Sequence, residues 1–238
     1  MRILIADDND INRDFLKAAL GDPGIQIEEA VNGRQALDHF LQQPFDLVLM
    51  DIRMPEMDGI EATRAIRQAE SRAGRTHGAK IIGLTADLQL STTTNLQQQG
   101  FDNCLAKPIS RDTVRQLLAS DVAPEPTMEE SSATPVMDRE AALAAAGGNV
   151  ELLDRLMGML QQELTRFLPE IRQAVASNDF AAARAPVHKL RGSAGYTGCL
   201  ELKETAAKLE LALTRGQPGE ITPALDELAK AADNVRQL

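Results

Sequence analysis

The sequence predicts two fold classes in one chain: an α/β domain followed by an all-α domain. Three observations carry this. Over residues 1–120, five short runs rich in Ile, Val and Leu alternate with amphipathic stretches. Over residues 137–238, apolar residues recur every three to four positions and no strand-like run occurs. Between them, residues 121–136 (DVAPEPTMEESSATPV) hold three prolines, four acidic residues and no basic one. Such a segment buries too little apolar surface to offset its ordering entropy, and reads as an extended, mobile tether. Its reach is about 55 Å fully extended and roughly 20–25 Å as a coil, enough for the flanking domains to meet.

The strand candidates are Ile3–Ala6, Ile25–Ala30, Leu47–Met50, Ile81–Leu84 and Cys104–Ala106. They are short, β-branched and bounded by turn or capping residues, as buried parallel strands are. Helices are expected between them. The first carries Ile11, Phe15 and Ala18–Ala19 after a cap at Asp10. The second carries Ala36, Leu37, Phe40 and Leu41 after Asn32-Gly33, and the third Ile60, Thr63, Ile66 and their neighbours after Asp58-Gly59. Two more run from about Ser91 to Gln99 and from Ser110 to Leu118. Five strand–helix units in sequence predict a doubly wound, five-stranded parallel sheet.

In the second half one apolar stripe is Val150, Leu153, Leu156, Leu160, Leu164, Phe167 and Ile171, with a kink expected at Pro169. Val187, Leu190 and Ala194 make a second; Leu202, Ala206, Leu209 and Leu213 a third; Ile221, Leu225, Leu228, Ala232 and Val235 a fourth. Four amphipathic helices with short connections predict an antiparallel four-helix bundle, with Val136–Ala146 as a short leading helix.

Composition excludes several functions. The 35 acidic residues outnumber the 25 basic ones for a net charge of −10, which repels nucleic-acid phosphates and anionic membranes. Aromatic residues make up 3% with no Trp, too few for a base-stacking platform. Cys104 and Cys199 form no metal-ligand pattern and imply a reducing, cytoplasmic setting. The four-residue apolar run after Met1-Arg2 is too short for a signal peptide, and none approaches the roughly 20 residues that span a bilayer. A Gly-rich nucleotide loop is also missing, so an ATP-dependent kinase is not expected in this chain.

In an open α/β sheet, chemistry collects at the carboxyl ends of the strands. Those ends carry Asp7 and Asp8, then Asp51, Thr85 and Lys107-Pro108. Converging carboxylates are tolerable around a hard cation, and Mg²⁺ prefers a few carboxylates with water and phosphate. A carboxylate can also be a nucleophile, forming an aspartyl-phosphate, with Thr85 and Lys107 placed to bind phosphoryl oxygens.

Ile3–Asn9, Asp51 with Met54-Pro55-Glu56-Met57-Asp58-Gly59, Leu84-Thr85-Ala86 and Lys107-Pro108 together resemble a response-regulator receiver domain of the CheY-like family. The resemblance implies that Asp51 accepts a phosphoryl group and that Asp8 and Asp51 ligate Mg²⁺. It further implies a strand order of 2-1-3-4-5, Asp7 acting through metal-bound water, the Arg53 backbone carbonyl as another ligand, and a cis Lys107–Pro108 bond. One position departs from the pattern. Three residues before the lysine, where the family often carries Tyr or Phe, stands Cys104. A thiol cannot act as a reorienting ring, which fits a receiver that only relays phosphate.

Of three histidines, His188 stands out, in Ala185-Pro186-Val187-His188-Lys189-Leu190-Arg191-Gly192-Ser193-Ala194-Gly195. It falls off the Val187–Leu190–Ala194 face, so the imidazole is expected to be exposed. Arg184, Arg191, Gly192 and Gly195 lie at i−4, i+3, i+4 and i+7. Two helical glycines cost about 1 kcal/mol each against Ala, which close approach of another protein to the ring would offset. No general base is evident in this motif. The segment resembles the His-containing phosphotransfer (HPt) family, matching at His188, Leu190, Arg191, Gly192 and Ser193, with Arg191 where Lys is common. The resemblance implies a docking surface of Arg184, Lys189, Arg191, Gly192 and Gly195 around a phosphorylated His188.

The combined expectation is a phosphorelay chain: a receiver (1–120), a tether (121–136) and an HPt domain (137–238), passing a phosphoryl group between Asp51 and His188. The arrangement resembles the C-terminal part of a hybrid sensor histidine kinase, with a histidine kinase and a separate downstream response regulator as partners. Neither nucleic acid nor membrane contact by this chain is expected, and its place is the cytoplasm or the cytoplasmic portion of a membrane-bound sensor. The alternatives are a sequestering module without chemistry and a phosphate sink that hydrolyses at Asp51.

Overall fold

Five apolar runs pair in parallel to build the first part of this computed structural model, which describes residues 1–21, 23–74, 78–86, 93–119 and 135–238. His77, most of the 121–136 tether and the expected start of the fourth helix lie outside the described residues. Contacts divide the chain into two units, Met1–Thr127 and Met128–Leu238.

In the first unit the strands are β1 (Arg2–Ala6), β2 (Gln26–Ala30), β3 (Leu47–Asp51), β4 (Lys80–Thr85) and β5 (Asn103–Ala106). They form one parallel sheet in the order β2-β1-β3-β4-β5. Ile3 to Ala6 and Val48 to Met50 are fully buried because helices cover both faces of these central strands. The edge strand β2 is the exception, with Gln26 exposed and Glu28 and Glu29 half-buried.

The helices are α1 (Asp10–Leu20), α2 (Gly33–Gln42), α3 (Gly59–Arg72), α4 (Thr93–Gln98) and α5 (Arg111–Ala119). α1 packs with α5, and α2 with α3. The cap of α1 differs from expectation. Asn9, not Asp10, is extended, and its side-chain oxygen accepts from the Ile11 and Asn12 N–H groups at 2.8 and 3.3 Å. Asp10 is already helical and pairs with Arg13.

The second unit holds α6 (Arg139–Ala145), α7 (Val150–Ala176), α8 (Phe180–Tyr196), α9 (Leu200–Arg215) and α10 (Pro218–Arg236). α7 packs on α8, α8 on α9, α9 on α10 and α10 back on α7, closing a four-helix bundle. Asn149 and Asp179 cap α7 and α8 through their side chains. The turns between the long helices each contain one residue at positive φ: Asn178, Gly198 and Gly216. α7 continues through Pro169 as one helix. Leu153, Leu156, Leu160, Leu164, Val187, Leu190, Leu202, Leu209 and Leu228 have no exposed surface. Val150, expected in the stripe, is 45% exposed at the first turn of α7.

Residues 135–138 strap the α8–α9 turn. Asp138 N–H donates to the Gly198 carbonyl at 2.8 Å, and Glu201 N–H to the Pro135 carbonyl at 3.3 Å. Gly198 sits at φ +71°, and a Cβ there would lie 2.6 Å from the Asp138 carbonyl oxygen. Gly198→Ala is therefore expected to destabilise the second unit by about 1–3 kcal/mol. Tyr196 is the only tyrosine and is 2% exposed within the bundle, so tyrosine fluorescence during urea unfolding of the full chain reads this transition alone.

Candidate functional site

Strand register builds the first site. Ala6 pairs with Met50, so Asp7, one residue on, arrives beside Asp51 at the end of β3. Asp51 pairs with Leu84, which brings Thr85 alongside, and Thr85 pairs with Ala106, which brings Lys107 next. Asp7, Asp51, Thr85 and Lys107 are all buried, and Asp8 is half-buried. Lys107 Nζ donates to Asp51 Oδ2 at 2.6 Å and to Asp7 Oδ2 at 2.7 Å. The Lys107–Pro108 bond is cis. Arg53 N–H donates to Asp51 Oδ1 at 3.2 Å, while the Arg53 side chain is exposed.

Among the described residues, Asp7, Asp8 and Asp51 place one carboxylate oxygen each within 4.8 Å of one another. Three carboxylates against one ammonium leave two formal negative charges in a largely buried crevice. The donors are all hard oxygens. That combination fits a small divalent cation, and Mg²⁺ in particular, which takes few carboxylates.

The loop after Asp51 is held by close packing. A Cβ at Gly59 would lie 2.0 Å from the Asp51 carbonyl oxygen, so only glycine lets α3 start this close to the site. Gly59 N–H donates to the Ile52 carbonyl at 3.0 Å, and Asp58 caps α3.

At the departing position, Cys104 pairs in register with Gly83 and is 7% exposed. The Phe101 ring lies where a Gly83 side chain would be, with Cδ1 3.1 Å from an ideal Cβ. Phe101 is 3% exposed, so the space beside Cys104 is already filled. Burial pushes the Cys104 thiol up to about 11.

The second site lies on α8. His188 is not fully exposed as its helical position suggested: its side chain retains 16% of its surface. The reason is Glu210, reaching from α9 to place Oε1 3.0 Å from His188 Nδ1. The other Glu210 oxygen accepts from Arg191 Nη1 at 2.9 Å. A carboxylate at Nδ1 requires an N–H there, which puts the neutral ring's lone pair on Nε2. Arg191, expected on a docking surface, thus commits part of its guanidinium to Glu210. Burial first, and the Arg191 charge second, lower the affinity of Lys203 for its proton, so a second cation lies near this network. Arg184 is exposed, while Lys189, Gly192 and Gly195 are half-buried. Ser193 is fully buried, and its one hydroxyl proton lies within reach of Glu163 of α7 and of the Lys189 carbonyl, linking α8 to α7.

Glu210 escaped the sequence reading because it lies 22 residues beyond His188, on another helix. Its one sequence signal was a carboxylate adjacent to the apolar stripe residue Leu209; the structure leaves it 5% exposed, where charge is rarely buried unpaired. Asn12, 2% exposed, was likewise missed; its amide nitrogen lies 3.1 Å from both Asp7 carboxylate oxygens.

A model of the response regulator receiver domain matches residues 3–119, and one of the Hpt domain matches residues 155–238. The chain carries a receiver domain followed by an Hpt domain. The receiver contains the Asp7–Asp51–Lys107 crevice, and the Hpt domain contains His188 and Glu210. The sensor histidine kinase GacS of Pseudomonas protegens is 34% identical over 242 residues, 97% of this chain and 26% of GacS. The signal transduction histidine-protein kinase BarA of Escherichia coli K12 is 33% identical over 251 residues, 99% of this chain and 26% of BarA. The chain thus spans about a quarter of the length of these relatives. Among solved structures, the chemotaxis response regulator CheY4 of Vibrio cholerae is 29% identical with a TM-score of 0.44, covering 50% of this chain and 95% of that one.

The receiver thiol gives a pH prediction. The unfolded chain loses the Cys104 proton near 9.0 and the folded chain near 11, so folding stability falls as pH rises through that window. In Cys104→Ala this contribution is absent. Urea titrations at several pH values should give a flatter decline for the variant between these limits, and equal slopes would contradict the burial effect.

Proposed function

We propose that this chain is a phosphorelay segment that passes a phosphoryl group between Asp51 and His188, and between His188 and a separate response regulator. The observation that carries the reading is a buried carboxylate beside Lys107 in the same chain as an imidazole held at Nδ1 by Glu210. The proposed boundaries are a receiver at 1–120, a tether at 121–136 and an HPt domain at 137–238. A histidine kinase is the proposed donor, in keeping with the names of GacS and BarA. Neither nucleic acid nor a membrane is proposed as a direct partner, and among the described residues no helix is long and apolar enough to cross a membrane. Two buried free thiols support a cytoplasmic setting.

Asp8, Asp51 and the Arg53 carbonyl would hold Mg²⁺, with Asp7 one water removed. Mg²⁺, when bound, supplies positive charge to the oxygens of the transferring group. Everything else falls to the chain's own residues. Asp51 supplies the oxygen that attacks phosphorus. As the new P–O bond forms, the P–N bond to the imidazole breaks, and its electron pair returns to Nε2. Glu210 holds the Nδ1 proton throughout, so the ring leaves neutral and in one tautomer. Lys107 and the Thr85 hydroxyl neutralise and orient the phosphoryl oxygens, since this transfer depends mainly on positioning and charge stabilisation. Arg191 keeps Glu210 aligned, and the exposed Arg184 offers charge to an approaching acidic crevice.

Incubation with acetyl phosphate and Mg²⁺, followed by mass spectrometry, tests the reading. Wild type should gain phosphoryl mass, first on Asp51 and then on His188. Asp51→Asn should gain none, and His188→Gln should stop at Asp51. Glu210→Ala should slow His188 labelling by about 10- to 100-fold, the size of losing one hydrogen bond to a charged partner, roughly 1.5–3 kcal/mol, while leaving Asp51 labelling unchanged. A chain that gains no mass is a sequestering module instead, and rapid loss from Asp51 without His188 labelling marks a phosphate sink.

A further inference from the structure

Asp7 accepts four hydrogen bonds at its carboxylate. The Asn12 amide of α1 donates to Oδ1 and to Oδ2, both at 3.1 Å. Asn9 N–H adds a bond to Oδ1 at 3.0 Å, and Lys107 adds one to Oδ2 at 2.7 Å. Asn12 is 2% exposed, and its own Oδ1 is buried without a hydrogen-bond partner. An orphaned amide oxygen costs about 1–3 kcal/mol, which a leucine at this position would avoid. The amide orientation has no alternative, because turning it over would set Asn12 Oδ1 against the two Asp7 oxygens. Stability alone does not explain an asparagine here.

We infer that Asn12 is a positioning residue for Asp7, and through it sets the preference of the crevice for Mg²⁺ over Ca²⁺. The inference rests on the proposed Mg²⁺ site and deepens it. Each Asp7 oxygen accepts two hydrogen bonds, Oδ1 from Asn12 and the Asn9 N–H and Oδ2 from Asn12 and from Lys107 just after β5, which uses both lone pairs of each, so Asp7 contributes charge while staying out of direct coordination. Asp8 and Asp51 remain as the directly coordinating carboxylates. Mg²⁺ keeps several waters and takes one or two carboxylates in a tight octahedron, whereas Ca²⁺ takes six to eight oxygens at longer distance. Removing the Asn12 amide takes one donor from each Asp7 oxygen and lets that carboxylate turn into the site. A third direct carboxylate favours the larger ion.

The test is isothermal titration of the full chain with MgCl₂ and separately with CaCl₂, without phosphoryl donor. Wild type, Asn12→Leu and Asn12→Ser are compared, each checked for folding by urea titration. Leu keeps the volume and removes both donors; Ser is smaller, keeps one hydroxyl donor and serves if Leu disrupts the packing of α1. The expected result is Mg²⁺ preference in wild type, a fall in that preference of about tenfold in Asn12→Leu and a smaller fall in Asn12→Ser. Variants that weaken both ions by the same factor would overturn the inference, because a purely structural role moves both affinities together. A wild type that binds neither ion overturns the Mg²⁺ reading itself, and this inference with it.

Discussion

The receiver unit depends on one interaction: the Lys107 ammonium set between the buried carboxylates of Asp7 and Asp51. Removing the lysine would leave two buried carboxylates uncompensated, at a cost of about 3–5 kcal/mol. The surrounding structure is arranged to hold this group. Parallel register delivers the three residues from β1, β3 and β5 to one edge. Asn12 and the Asn9 N–H hold Asp7 from the α1 side. Gly59 lets the next helix begin against the Asp51 carbonyl. With Asp8 at the rim, the group still carries two negative charges more than its lysine balances. The same excess of negative charge that makes the crevice costly favours a divalent cation, which would in turn offset the charge of an incoming phosphoryl group.

The Hpt unit solves a different problem with fewer parts. Its core is a continuous apolar seam, and its single functional ring sits at the edge of that seam with one nitrogen fixed by Glu210. Fixing Nδ1 costs part of the ring's exposure but selects the tautomer that leaves Nε2 nucleophilic. In the proposed relay, charge neutralisation and cation binding would fall to the receiver, and presentation and tautomer control to the bundle.

Most of this was legible in the sequence. Short apolar runs and their terminal residues sufficed for the sheet and for Asp7, Asp8, Asp51, Thr85 and Lys107, because strand ends and site residues are adjacent in the chain. The bundle followed from the 3.6-residue period. What escaped were contacts between elements. Glu210 reaches His188 across two helices, and Asn12 meets Asp7 only once α1 has folded back from its cap at Asn9. Helical spacing treats a helix as isolated, so it placed His188 in solvent where α9 covers part of it. Asp10 was read as the cap because it precedes the first apolar residue, yet Asn9 keeps the extended backbone that capping requires.

The central claim is exchange of phosphoryl between the Asp51 carboxylate and the His188 ring. Phosphorus-31 NMR of the full chain during reaction with acetyl phosphate and Mg²⁺ tests it most directly, since acyl phosphate and phosphoramidate resonate at different positions. The account requires an acyl phosphate signal that forms first and a phosphoramidate signal that grows at its expense. A phosphoramidate signal of equal size in Asp51→Asn, or its absence from wild type while the acyl phosphate persists, would contradict it.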